Sequence, residues 1–161
     1  MFTRPIIDSL DFAQRGLEIS GDVPVAELGR LADVLADSTG TVNYVLRGFI
    51  GRDSRPQLAL SLEGTCNLRC QRCLNALSYP IKRQAKLRLV SEGEMGVDDI
   101  EDDEVDSVPA DQHLDVLALI EEELLLDMPI APKHDFGVCE IAAEGLNRST
   151  NPFAILAGLK K

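Results

Sequence analysis

In residues 56–64, PQLALSLEG, Leu58, Leu60 and Leu62 alternate with polar or small neighbours. Period two is the mark of a strand with one buried face. IKRQAKLRLV (81–90) repeats it, with Ile81, Ala85, Leu87 and Leu89 pointing one way and Lys82, Gln84, Lys86 and Arg88 the other. TVNYVLRGFI (41–50) is β-branched and aromatic, and GRDSR joins it to the 56–64 stretch as a hairpin-like connection. Three strands consecutive in sequence predict an antiparallel meander, with a cysteine-rich segment between the second and third.

Elsewhere the period lengthens. Asp8 or Ser9 can cap a short helix through LDFAQR that Gly16 ends, and LEIS (17–20) then alternates as a brief strand. Asp22 and Pro24 open a stretch in which Val25, Leu28, Leu31 and Leu35 share one helical face, ending at DSTG (37–40). A further helix spans about 112–127. Asp111 is placed to cap it and Pro129 to stop it; Leu114, Leu117, Ile120, Leu124 and Leu125 line its buried side, and Glu121, Glu122 and Glu123 form a solvated face. In NPFAILAGLKK, Asn151 and Pro152 launch a last short helix whose final lysines suit its dipole. Residues 91–111 hold many acids and no Lys or Arg, the composition of a mobile linker. The expectation is a single α+β domain over 1–161: an antiparallel β-meander, flanking helices and a flexible acidic insertion.

Composition narrows the function. Hydrophobic residues make up 45% of the 161 positions, enough for a core, but with 4% aromatics and no Trp that core is Leu, Val, Ile and Ala. No apolar run reaches the roughly 18 residues of a membrane span, and the N-terminus lacks the apolar core of a signal peptide. A cytoplasmic protein without membrane contact or small-molecule substrate is expected. There four cysteines are metal ligands or inert thiols rather than disulfides. A net charge of −11 excludes a general nucleic-acid binder, since such binding rests on cations at phosphates, and favours basic partners.

TCNLRCQRC (65–73) carries Cys66, Cys70 and Cys73 in the C-x3-C-x2-C spacing of radical-SAM iron–sulfur enzymes. Arg72 stands where those enzymes have an aromatic, and the chain is too short for their barrel; a motif needs its scaffold. A second arrangement pairs Cys70-x2-Cys73 with His134-x4-Cys139, a Cys3His set suited to tetrahedral zinc. The competing reading makes the three cysteines small buried hydrophobes and His134 an ordinary hydrogen-bonding side chain. Cys66 could replace His134 as a ligand, or be a strand-end thiol. No Ser/His/Asp order or phosphate-cradling glycine loop stands out, so no enzymatic role is expected.

Several segments together resemble a known family: DSLDFAQRGLEISGDVPVAELGRLAD (8–33), CQRCL (70–74), the acidic stretch, LALIEEELLLDMPIAPKHDFGVCE (117–140) and NPFAILAGLKK. The chain is similar to the YceD family, the large ribosomal RNA subunit accumulation proteins of bacteria, with plastid relatives. Cys70, Cys73, His134, Asp135 and Cys139 fall on that pattern and Cys66 does not. The resemblance implies a non-enzymatic role in the synthesis, processing or stability of 23S rRNA. Direct RNA contact would use the densest positive cluster, Arg69, Arg72, Lys82, Arg83, Lys86 and Arg88. A basic ribosomal protein or assembly factor on large-subunit precursors would instead meet the acidic stretch and Glu121, Glu122 and Glu123, the route that the net charge favours.

Overall fold

The computed structural model describes residues 3–91, 93 and 105–139. In chain order its elements are β1 (Ile6–Ile7), α1 (Ser9–Gln14), β2 (Glu18–Pro24), β3 (Leu35–Ile50), β4 (Pro56–Arg69), β5 (Ala76–Val90), β6 (Asp106–Pro109), β7 (Leu114–Asp115) and α2 (Val116–Asp127). One sheet takes the order β2-β3-β4-β5-β6, and β1 and β7 form a separate two-stranded ribbon. β3, β4 and β5 form the antiparallel meander that the alternation predicts, and β2, running through Asp22 and Pro24 where a helix is expected to open, adds a fourth antiparallel strand, so the fold is α+β.

Register aligns the buried positions across strands: Leu46, Leu60 and Ala85 form one row, and Gly48, Leu58 and Leu87 the next. One face of the sheet is covered by α1, by the segment after β2 and by α2, which together enclose a core rich in Leu and Val. Row by row this removes leucine side chains from water, each worth about 1.5–3 kcal/mol. The other face stays open, carrying Thr41, Asn43, Arg47, Lys82 and Lys86 together with the acids Glu18, Asp22 and Glu63, of which Glu18 lies opposite Arg47 and Glu63 opposite Lys82. Asp8 caps α1, accepting hydrogen bonds from the Leu10 and Asp11 N–H groups. Gly48 lets α1 lie directly on β3, because a Cβ there would stand 2.4 Å from the Phe12 carbonyl oxygen and 2.7 Å from the Ala13 Cα.

Three expectations need correction. Residues 25–35 form no α-helix but two 3-10 turns, Val25–Glu27 and Gly29–Leu31, before β3 begins at Leu35. Val25, Leu28, Leu31 and Leu35 are nevertheless all buried. Spacings of three fit the eclipsed side chains of a 3-10 turn as well as one face of an α-helix. The acidic stretch is not linker throughout: Asp106–Pro109 pair in parallel with β5, and the Ala110 N–H donates to the Val90 carbonyl at 2.8 Å. The acids at 94–104 and the terminal segment 140–161, with its expected helix, lie outside the described residues.

The third correction concerns α2. Its N-cap is Asp115, which accepts from the Leu117 and Ala118 N–H groups; Asp111 instead accepts from the His113 N–H at 2.8 Å. Glu121 and Glu123 are only 5% and 3% exposed, so of the three glutamates expected on a solvated face Glu122 alone reaches water. The Glu121 Oε1 accepts the Arg30 N–H at 3.0 Å, satisfying a backbone donor of the second 3-10 turn. Glu123 Oε2 meets Arg83 Nη2 at 3.2 Å. Burial raises the Glu123 carboxyl above its usual range, and the Arg83 guanidinium offsets only part of that. Farther along, the Tyr79 hydroxyl donates to the Asp127 carbonyl at 3.1 Å. Contacts to Arg83 and then Tyr79 run α2 along β5 toward the β4–β5 turn, and the segment after the helix arrives there.

Candidate metal centre

β4 and β5 are joined by a tight turn. The Leu74 N–H donates to the Cys70 carbonyl at 2.9 Å and the Cys70 N–H to the Asn75 carbonyl at 3.0 Å, with Leu74 left-handed at φ 63°. This folds Cys70 and Cys73 back toward each other. A second turn follows α2: the Val138 N–H donates to the Asp135 carbonyl at 3.2 Å, and Gly137 takes the φ of 85° that a side chain disfavours. It brings Cys139 back beside His134. Two contacts tie the turns together. The Gln71 N–H donates to the Pro132 carbonyl at 2.8 Å, and Arg72 Nη2 donates to the His134 carbonyl at 2.7 Å.

Cys70, Cys73, His134 and Cys139 thus converge, with all four ligand atoms within 4.8 Å of one another. Cys70 Sγ lies 3.7 Å from Cys139 Sγ; His134 Nδ1 lies 3.4 Å from Cys73 Sγ and 3.6 Å from Cys139 Sγ. A zinc ion with sulfur ligands at ~2.3 Å and nitrogen at ~2.0–2.1 Å sets tetrahedral edges of about 3.8 Å for sulfur–sulfur and about 3.5 Å for sulfur–nitrogen. These three separations match those edges, and the remaining ones stay within 4.8 Å. His134 Nε2 is 3.0 Å from the Ala76 carbonyl oxygen. That acceptor holds the proton on Nε2 and leaves the Nδ1 lone pair facing the sulfurs, the outer support typical of a ligating imidazole.

Electrostatics agree. Burial opposes charging Cys70, yet the backbone N–H groups of Cys73, His134 and Arg72 converge on its sulfur and hold the thiol down to about 5. Cys139 is pushed up by burial and by the sulfurs of Cys70 and Cys73. Crowded sulfurs in which one negative charge opposes the next are what a divalent cation neutralises. The cluster can therefore hold a metal.

Cys66 stands apart. It is buried in the apolar core, opposite Tyr79 on β5, and burial followed by the Asp37 charge pushes its thiol up to about 11. The C-x3-C-x2-C spacing therefore does not bring three thiols to one cluster. The candidate RNA residues also divide. Arg72 clamps the two turns, and Arg69 donates to the Leu35 carbonyl at 3.3 Å. Arg83 pairs with Glu123 under α2, and Arg88 lies 3.1 Å from Asp53. Lys82 and Lys86 stand exposed on the open face. Sequence reasoning missed the clamp by Arg72 and the Ala76 carbonyl; a backbone acceptor leaves no trace in residue identity.

Residues 58–160 match the model of the family described as large ribosomal RNA subunit accumulation protein YceD. The chain is 27% identical to a protein of Haemophilus influenzae bearing that same description, over 96% of this chain and 94% of that one. No solved structure matches the chain.

Proposed function

Because the chain belongs to the YceD family, we propose that it is a zinc-stapled, non-catalytic factor for 23S rRNA, acting in the cytoplasm by docking to large-subunit precursors. The observation that carries this reading is the closure of the Cys3His cluster. Catalytic zinc keeps a position open for water or substrate, whereas a structural site fills all four with protein atoms, the number that Cys70, Cys73, His134 and Cys139 would supply. No helix among the described residues is long and apolar enough to cross a membrane. The name of the Haemophilus influenzae relative speaks of large ribosomal RNA subunit accumulation, and the full-length similarity supports carrying that role to this chain.

As for the docking surface, burial of Glu121 and Glu123 takes away most of the acidic helix face that a basic protein would have met. The exposed cations of the open sheet face are then the stronger candidates, which favours direct contact with rRNA. The test is complementation. Cells depleted of the protein should accumulate less 23S than 16S rRNA, and the chain should restore the ratio and co-sediment with precursor large subunits. An unchanged ratio on depletion refutes the role.

A further inference from the structure

At the far end of the sheet from the cysteine cluster, a cleft of about 460 Å³ opens on the uncovered face, between the β3–β4 hairpin and β5. That volume falls within the roughly 300–1,000 Å³ of small-ligand sites. Its lining is anomalous for a chain of net charge −11: Arg52, Lys86 and Arg88 face one carboxylate, Asp53, beside the ring of Phe49. Phe49, Gln57 and Arg88 form one cross-strand row, and Arg47, Ala59 and Lys86 the next on the same face.

The carboxylate is already engaged. Asp53 Oδ1 accepts from the Arg55 N–H at 3.1 Å and from Gln57 Nε2 at 3.3 Å, and its Oδ2 lies 3.1 Å from Arg88 Nε. The Arg88 side chain is only 11% exposed, and its Nε sits close to Asp53 at an angle that makes no hydrogen bond. Arg52 and Lys86 are exposed and have no carboxylate partner among the described residues. The acid that follows Val105 at the rim, Asp106, acts on Glu123 beneath the covered face. The cleft thus combines two cations with no carboxylate partner among the described residues, one fixed cation and an aromatic surface.

Cations that meet a phosphate beside an aromatic ring that meets a base are the parts of a single-strand nucleic-acid site. We propose that this cleft binds one nucleotide unit of single-stranded RNA, its phosphate held by Arg52 and Lys86 and its base laid against Phe49, with Arg88 held in place by Asp53. The inference rests on the rRNA reading above and gives it a site.

The full chain is titrated against a labelled single-stranded oligoribonucleotide of ~12 nucleotides, a length within the usual site sizes, with adenosine monophosphate and inorganic phosphate as competitors. Arg52→Glu and Lys86→Glu should each weaken RNA binding about tenfold and lower the salt slope by about one. Phe49→Leu should weaken binding and leave that slope unchanged. Arg30→Glu makes the same charge change on the covered side and should shift affinity less than about threefold; equal loss there means diffuse electrostatics and overturns the site. Competition by the mononucleotide that Arg52→Glu abolishes supports the cleft as a site for one nucleotide unit, and equal competition by inorganic phosphate overturns the role given to Phe49. Absence of RNA and nucleotide binding, or capture of precursors that survives nuclease, overturns it. If Arg52→Glu/Lys86→Glu restores the 23S to 16S ratio like the parent, the cleft is refuted while the rRNA role stands.

Discussion

Removing zinc should lower the melting temperature of the protein by about 8–16 °C. The magnitude follows from the cluster. Three of its separations already match tetrahedral edges and His134 is already oriented by Ala76, so little binding energy goes into arranging ligands. The scale for structural zinc peptides, about 10–16 kcal/mol, then applies. A value of ~12 kcal/mol corresponds to nanomolar affinity. At ~1 µM free zinc, a thousandfold excess over that constant, the folded state gains about 4 kcal/mol. Each kcal/mol moves the midpoint of a chain this size by roughly 2–4 °C. The assay is thermal unfolding with zinc and with a strong chelator, on the parent and on Cys73→Ser. The variant should melt low in both solutions and carry no stoichiometric metal. Because Gln71 and Arg72 also join the two turns, the strand signal should persist in the metal-free protein below its lowered midpoint. A parent midpoint that moves by less than ~2 °C on chelation refutes the reasoning.

Cys66→Ala should keep the full metal content while Cys70→Ala loses it, as measured by elemental analysis; equal loss would return Cys66 to the ligand set. Gly48→Ala should destabilise by about 2–3 kcal/mol, the cost of forcing atoms into a packed core, because the new methyl meets α1 backbone and not a movable side chain; denaturant midpoints check it. Glu123 has a folded-state pKa above the usual 4.5, so the native chain binds that proton more tightly than the unfolded one. Its contribution is present below pH 4.5 and lost as pH rises through the folded value, so the parent should lose stability relative to Glu123→Gln over that window. Parallel pH–stability curves for the two proteins would contradict this.

The strands were legible because alternation survives any tertiary arrangement: Leu58, Leu60 and Leu62 had to share a face wherever the strand sat. The convergence of the Cys3His cluster was legible for a similar reason, since Cys70-x2-Cys73 and His134-x4-Cys139 are each local geometries that need only be brought together. What failed depended on distant partners. Glu121 and Glu123 looked solvated until an Arg30 N–H and an Arg83 guanidinium, contributed by other elements, gave them reasons to be buried. β6 has no apolar alternation to announce it, and Pro109 fits it because an edge strand tolerates a missing donor. The 25–35 stretch had the right buried residues and the wrong helix type, an ambiguity that a spacing of three cannot resolve.

The β1–β7 ribbon has a consequence for synthesis. Ile6 pairs with Asp115, and the Val116 N–H bonds the Pro5 carbonyl, so residues 5–7 wait for a partner made about 110 residues later. At ~5–20 residues per second the delay is on the order of 5–20 s. Through that interval α2 is missing as well, and the leucine face of β5 lacks the helix that packs on it. A polypeptide built this way completes its fold late, while still close to the machine that made it.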